Sequence, residues 1–131
     1  ILMKVAILAL IVVLSLCVPS ADLVESHLPG CNTEAHQFSG YLKVSATKEL
    51  HYILVESADK WNKDPLLIWL NGGPGCSSLL GYIMENGPCV FDDGNYTIFN
   101  NPFSWNQRLN VLYIEGPAGV GFSWGQTTAD F

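Results

Sequence analysis

A chain of 131 residues with 6 basic and 12 acidic side chains, formally −6, has room for one small domain and lacks the basic surface that nucleic acid requires. Its three histidines, His27, His36 and His51, show no ligand spacing, so neither a metal site nor a cofactor is expected.

In chain order, Lys4 precedes a run from Val5 to Val18 that is apolar except for Ser15, and Val18-Pro19-Ser20-Ala21 follows. A charged start, a short apolar core and small residues at its end predict a secretory signal peptide over 1–20, cut after Ser20. The run is shorter than the roughly 20 residues that cross a bilayer, so no stable membrane anchor is expected once it is removed. Residues 21–131 are then the domain portion. Cys17 falls in the leader, leaving Cys31, Cys76 and Cys89 for an oxidising compartment. Three is odd, so at least one thiol looks for a partner outside this set. A Cys31–Cys89 bridge is one option, and a free buried thiol is open to any of the three. Asn95-Tyr96-Thr97, beside the turn-like Asp92-Asp93-Gly94, is an N-glycosylation sequon at Asn95.

Residues 22–37 read as irregular. The runs 38–46 and 50–57, joined by Thr47-Lys48-Glu49, predict an antiparallel hairpin. After a charged loop closed by Pro65, Leu66 to Leu70 reads as a strand buried on both faces. From Ser77, the spacing of Leu79, Leu80, Ile83 and Met84 predicts a short amphipathic helix, stopped by Asn86-Gly87-Pro88. The stretch 91–105 is turn-rich, 110–114 is a further strand, and a glycine-rich loop follows Glu115. The class is α/β: an antiparallel hairpin leading into a mostly parallel sheet.

Chemistry concentrates in Trp69-Leu70-Asn71-Gly72-Gly73-Pro74-Gly75-Cys76-Ser77-Ser78. A strand breaking into glycines before a helix brings bare backbone N–H groups to the surface, the donors that stabilise a developing oxyanion in acyl transfer. Ser77 and Ser78 have no base nearby in sequence and read as helix-start residues. Gly121-Phe122-Ser123-Trp124-Gly125 matches the G-x-S-x-G pattern of a nucleophile elbow. A long loop separates Ser123 from the preceding strand, however, and every histidine comes before it, the reverse of the hydrolase order. Ser123 is therefore not expected to be a nucleophile. His51, within a strand, is expected to pack or to face solvent.

Five ordered blocks resemble the serine carboxypeptidase family: Gly40-Tyr41-Leu42, the stretch 66–78, Glu85-Asn86-Gly87-Pro88, the stretch 101–106, and Gly116 to Trp124. The resemblance implies the start of an α/β-hydrolase fold and the release of residues from peptide C-termini through an acyl-enzyme. Position by position, it implies that Gly73 donates a backbone N–H to the oxyanion hole, and that Asn71, Gly72 and Glu85 grip the substrate's terminal carboxylate. It also implies that Cys76 pairs with a cysteine far downstream. The family more often has Asp at the place of Glu115 and Tyr at that of Trp124. Amide and backbone N–H groups are good carboxylate donors. Glu85 donates only when protonated, and both a helix C-terminus and a substrate carboxylate disfavour its charge. The family's nucleophile lies in a Gly-Glu-Ser-Tyr-Ala-Gly block that this sequence lacks, so the chain reads as an N-terminal fragment, inactive alone. The expected location is the secretory pathway, ending in a vacuole or lysosome or outside the cell. The same resemblance admits an acyltransferase of this fold, or a binding or protective member without a triad. The retained Asn71 and Glu85 favour peptide C-termini.

Overall fold

The computed structural model describes residues 19–131 except His27 and Asp93. Nearly all of the expected signal peptide lies outside the described residues, and no helix within them is long and apolar enough to cross a membrane.

The predicted hairpin forms as β1 (Gln37–Lys43) and β2 (Lys48–Val55), antiparallel from Gln37↔Val55 to Lys43↔Glu49. β3 (Leu66–Trp69) follows. Next come the two short strands β4 (Cys89–Asp92) and β5 (Thr97–Asn100), then β6 (Asn110–Ile114) and the two-residue β7 (Trp124–Gly125). The main sheet runs β1-β2-β6-β3, with β7 beside the start of β2. β2 and β6 are antiparallel, and β3 and β6 are parallel, with Leu66↔Asn110 and Trp69↔Tyr113 in register. The sheet is therefore mixed rather than mostly parallel: among the described residues only the β3–β6 pair is parallel, and the segment between those two strands crosses back so that the chain enters β6 in the direction of β3.

Val55 and Val111, both fully buried, meet Ala35 and Tyr113 in the core, with Leu67, Trp69 and Tyr82 packed against them. The alternation of β6, with Val111 and Tyr113 inward, follows from the two-residue period of a strand. β3 departs from its expected burial on both faces. Leu66 is 48% exposed and Ile68 57% exposed. β3 is an edge strand here, paired only with β6, and its apolar content is what a strand with a second neighbour would carry.

The predicted helix is present but tightly limited. Leu79 and Leu80 are α-helical, and Gly81–Glu85 winds as a π-helix that closes with Asn86 N–H donating to Gly81 C=O at 2.9 Å. Gly81 allows the close approach to β3: a Cβ there would lie 2.1 Å from the Trp69 indole nitrogen. The turn-rich stretch after the helix holds the β4–β5 hairpin, whose four-residue strands are too short to show a period. Cys31 and Cys89 form a disulfide spanning 58 residues, tying the irregular N-terminal segment to this hairpin. The Asn100 side chain reinforces the tie. Its Oδ1 accepts from Asn32 N–H at 2.7 Å and its Nδ2 donates to Asn32 C=O at 2.9 Å. Cys76 is free and exposed.

Candidate active site

The end of β3 carries the site. Beyond Trp69 the chain leaves the sheet through Asn71, which is half-buried, into exposed Gly72 and Gly73. Gly73 has φ +127° and Gly75 φ +105°, backbone that side-chain-bearing residues rarely adopt. Cys76 N–H donates to Gly72 C=O at 3.3 Å and closes the turn.

Asn71 is fixed by its neighbours. Its Oδ1 accepts from Trp69 Nε1 at 2.8 Å and from Gly81 N–H at 3.2 Å. Two donors on that oxygen decide the amide orientation, so Nδ2 points the other way, to Glu85 Oε1 at 3.1 Å. Residues 14 positions apart thus meet beside the glycine turn. Glu85 is exposed at the end of the π-helix. That helix end is anchored from below. Buried Asn86 accepts from Tyr113 Oη at 2.9 Å through its side chain and from Trp105 N–H at 2.9 Å through its carbonyl. Burial first, then the neighbouring Tyr82 and Glu85, push the Tyr113 phenol far up, so it remains a donor to Asn86 at physiological pH. Trp69 packs edge-on against Trp105 at 5.3 Å between ring centres. Asn71 and Glu85, both named from sequence, therefore meet just past the carboxyl end of β3, the end at which open α/β sheets place their ligands, and the exposed Gly72 and Gly73 follow Asn71 directly in the chain.

The two helix-start serines do more than cap. Ser77 Oγ accepts from Leu79 N–H at 3.2 Å, as expected of a cap, but it also donates to the Glu115 carboxylate. Ser78 Oγ accepts from Asn71 N–H at 3.2 Å and donates to Ile114 C=O at 2.6 Å, stitching the loop to the end of β6.

His51 is neither simply packed nor solvent-facing. Its Nδ1 lies 3.0 Å from Glu115 Oε2 and its Nε2 2.9 Å from Ser39 Oγ, in a site where Glu115 is 0% exposed. Sequence reasoning missed this cluster. The only local signals were a histidine inside an apolar strand and an acid directly after one. The order Ser39–His51–Glu115 follows the hydrogen-bond sequence of a catalytic relay. Ser39 sits on β1, however, three strand spacings from β3, or roughly 14 Å. Ser123, the serine of the elbow-like motif, is 4% exposed, with its hydroxyl donating to Glu115 C=O at 2.7 Å and accepting from His51 N–H at 2.8 Å. Its hydroxyl bridges β2 to the residue that follows β6. Among the described residues no group of three or more His, Cys, Asp and Glu is placed to hold a metal ion.

A mixed sheet with a glycine loop at the carboxyl end of its parallel strand places the chain in the α/β class. Its backbone overlays on Kex1(delta)p, a prohormone-processing carboxypeptidase from Saccharomyces cerevisiae, with a TM-score of 0.60 at 31% identity, over 72% of this chain and 22% of that one. The family model for serine carboxypeptidases matches residues 29–131, and the chain belongs to that family. Similar proteins include the serine carboxypeptidase ctsa-3.1 of Caenorhabditis elegans, 43% identical over 94% of this chain and 22% of its own length. The lysosomal protective protein of Mus musculus is 47% identical over 81% of this chain and 23% of its own. Carboxypeptidase S1 of Penicillium janthinellum is 45% identical over 74% and 22%. The chain thus spans under a quarter of the length of these relatives.

Proposed function

We propose that these residues form the carboxylate-recognition and oxyanion part of a serine-type carboxypeptidase, which releases the last residue of a peptide through an acyl-enzyme. The observation that carries this reading is the 3.1 Å contact of Asn71 Nδ2 with Glu85 Oε1 beside the Gly72–Gly73 turn. A peptide's terminal carboxylate arriving here takes hydrogen bonds from Asn71 Nδ2 and the Gly72 amide, and a third from Glu85 when that acid is protonated. A serine outside these residues attacks the last peptide carbonyl, the Gly73 N–H receives the negative charge that develops on its oxygen, and the terminal amino acid leaves. The 131 residues alone supply no nucleophile for this step, and we expect them to be inactive by themselves.

Glu85 is tested by what it offers the carboxylate. In the full-length chain, Glu85→Ala is expected to raise KM for an N-blocked dipeptide by about 10-fold, while Glu85→Gln, whose amide is a donor, stays close to wild type. An unchanged KM in Glu85→Ala removes this role.

The relatives' printed names support a secretory route, one of them being lysosomal, with lysosome, vacuole or extracellular space as the destination. In the same reading Asn95 carries an N-linked glycan at the exposed turn between β4 and β5, where its Nδ2 now donates to Asp92 Oδ2 at 2.7 Å. Exposed Cys76 pairs with a cysteine beyond these residues.

A further inference from the structure

We propose that Glu115 is a positioning residue for the oxyanion loop and acts through Ser77; the inference rests on Gly73 being the oxyanion donor. A loop with glycines at positions 72, 73 and 75 has many backbone conformations open to it, so the aim of the Gly73 N–H depends on what holds the loop's two ends. The first end is Asn71, locked by Trp69, Gly81 and Ser78. The second is Ser77, whose hydroxyl donates to Glu115 Oε1.

Glu115 is built as an anchor. It is fully buried immediately after β6, and both carboxylate oxygens are engaged. Oε1 accepts from Ser77; Oε2 accepts from Phe122 N–H at 2.8 Å and faces His51 Nδ1 at 3.0 Å. The other ring nitrogen, Nε2, lies 2.9 Å from the Ser39 hydroxyl, so both nitrogens of His51 have a polar neighbour. The following loop is shaped around the same group. Gly121 has φ +55°, and a Cβ there would lie 1.8 Å from Glu115 Oε1. One carboxylate therefore ties the oxyanion loop, β2 and the glycine-rich loop after β6 into one rigid unit. Burying a carboxylate is costly unless its lone pairs are satisfied, so the three elements hold one arrangement together.

The two ends of the loop are held by different residues, and this separates their kinetic effects. Asn71 keeps its own anchors when the Ser77 tether is cut, so ground-state binding of the substrate carboxylate survives. The Gly73 amide loses its aim, and its hydrogen bond forms only in the transition state.

The test uses the full-length chain with Ser77→Ala, Ser77→Thr and Glu115→Gln on an N-blocked dipeptide, and counts active enzyme with a fluorophosphonate titrant. Ser77→Ala is expected to lower kcat per titrated site by about 10–100-fold with KM nearly unchanged, and Ser77→Thr to restore it. Glu115→Gln, which turns an N–H group toward the existing donors, falls in the same direction. Affinity for a peptide aldehyde that forms a tetrahedral adduct falls in parallel with kcat, while affinity for the product peptide holds. The proposal is overturned if Ser77→Ala and Glu115→Gln lose only titratable sites and keep kcat per site, the mark of a purely structural role. Absence of turnover by wild type overturns instead the carboxypeptidase reading on which the proposal rests.

Discussion

Gly73→Ala is expected to lower kcat of the full-length chain by about 100-fold or more, with a much smaller change in KM. The residue has φ +127°, and an added Cβ would sit 3.0 Å from Gly75 N and 3.2 Å from Cys76 N. An alanine must leave this backbone conformation, and its own N–H turns with it. That N–H is the group assigned to the oxyanion, whose charge exists only as the acyl transfer proceeds, so the loss falls on the chemical step. Steady-state kinetics on an N-blocked dipeptide, normalised to titrated sites, measures it. A loss confined to KM would place the glycine in substrate binding and not in transition-state stabilisation.

The second large effect is expected at Asn71. Asn71→Asp keeps the shape and the oxygen that Trp69 Nε1 and Gly81 N–H already use, so the turn stays built. It replaces the Nδ2 donor by an acceptor facing Glu85 Oε1, now 3.1 Å away, and facing the incoming carboxylate. A hydrogen bond to a charged group contributes about 1.5–3 kcal/mol, so kcat/KM should fall by about 10–150-fold or more, because like charges are then brought together as well. Steady-state kinetics on an N-blocked dipeptide measures the fall, and an unchanged kcat/KM would exclude Asn71 as a carboxylate donor.

Local chemistry explains which parts of this site were legible in sequence. The strand running into Asn71-Gly72-Gly73 announces exposed amides, because glycine and strand patterns are short-range signals. The β1–β2 hairpin and β6 were legible for the same reason, through alternation and the intervening polar turn. The contact of Glu85 with Asn71 was reachable only through the resemblance, since no periodicity links a strand end to the end of a π-helix. The Glu115–His51 pair joins residues 64 positions apart, a distance at which sequence pattern carries no pairing information. The apolar run of β3 was legible as a strand, but its burial was not, since burial depends on which neighbours flank it. The π-helix starts at Gly81, which packs closely on Trp69, a tertiary contact that helix spacing does not encode.

The claim beneath all of these expectations is that Asn71, Gly72 and Glu85 together recognise a free peptide terminus. Its most direct test compares an N-blocked dipeptide bearing a free C-terminal carboxylate with the same dipeptide as its C-terminal amide, using the full-length chain at acid pH. The account predicts a preference in kcat/KM for the free acid of about 100-fold or more, since the amide leaves the carboxylate donors without their partner. Equal kcat/KM for the two substrates would contradict it.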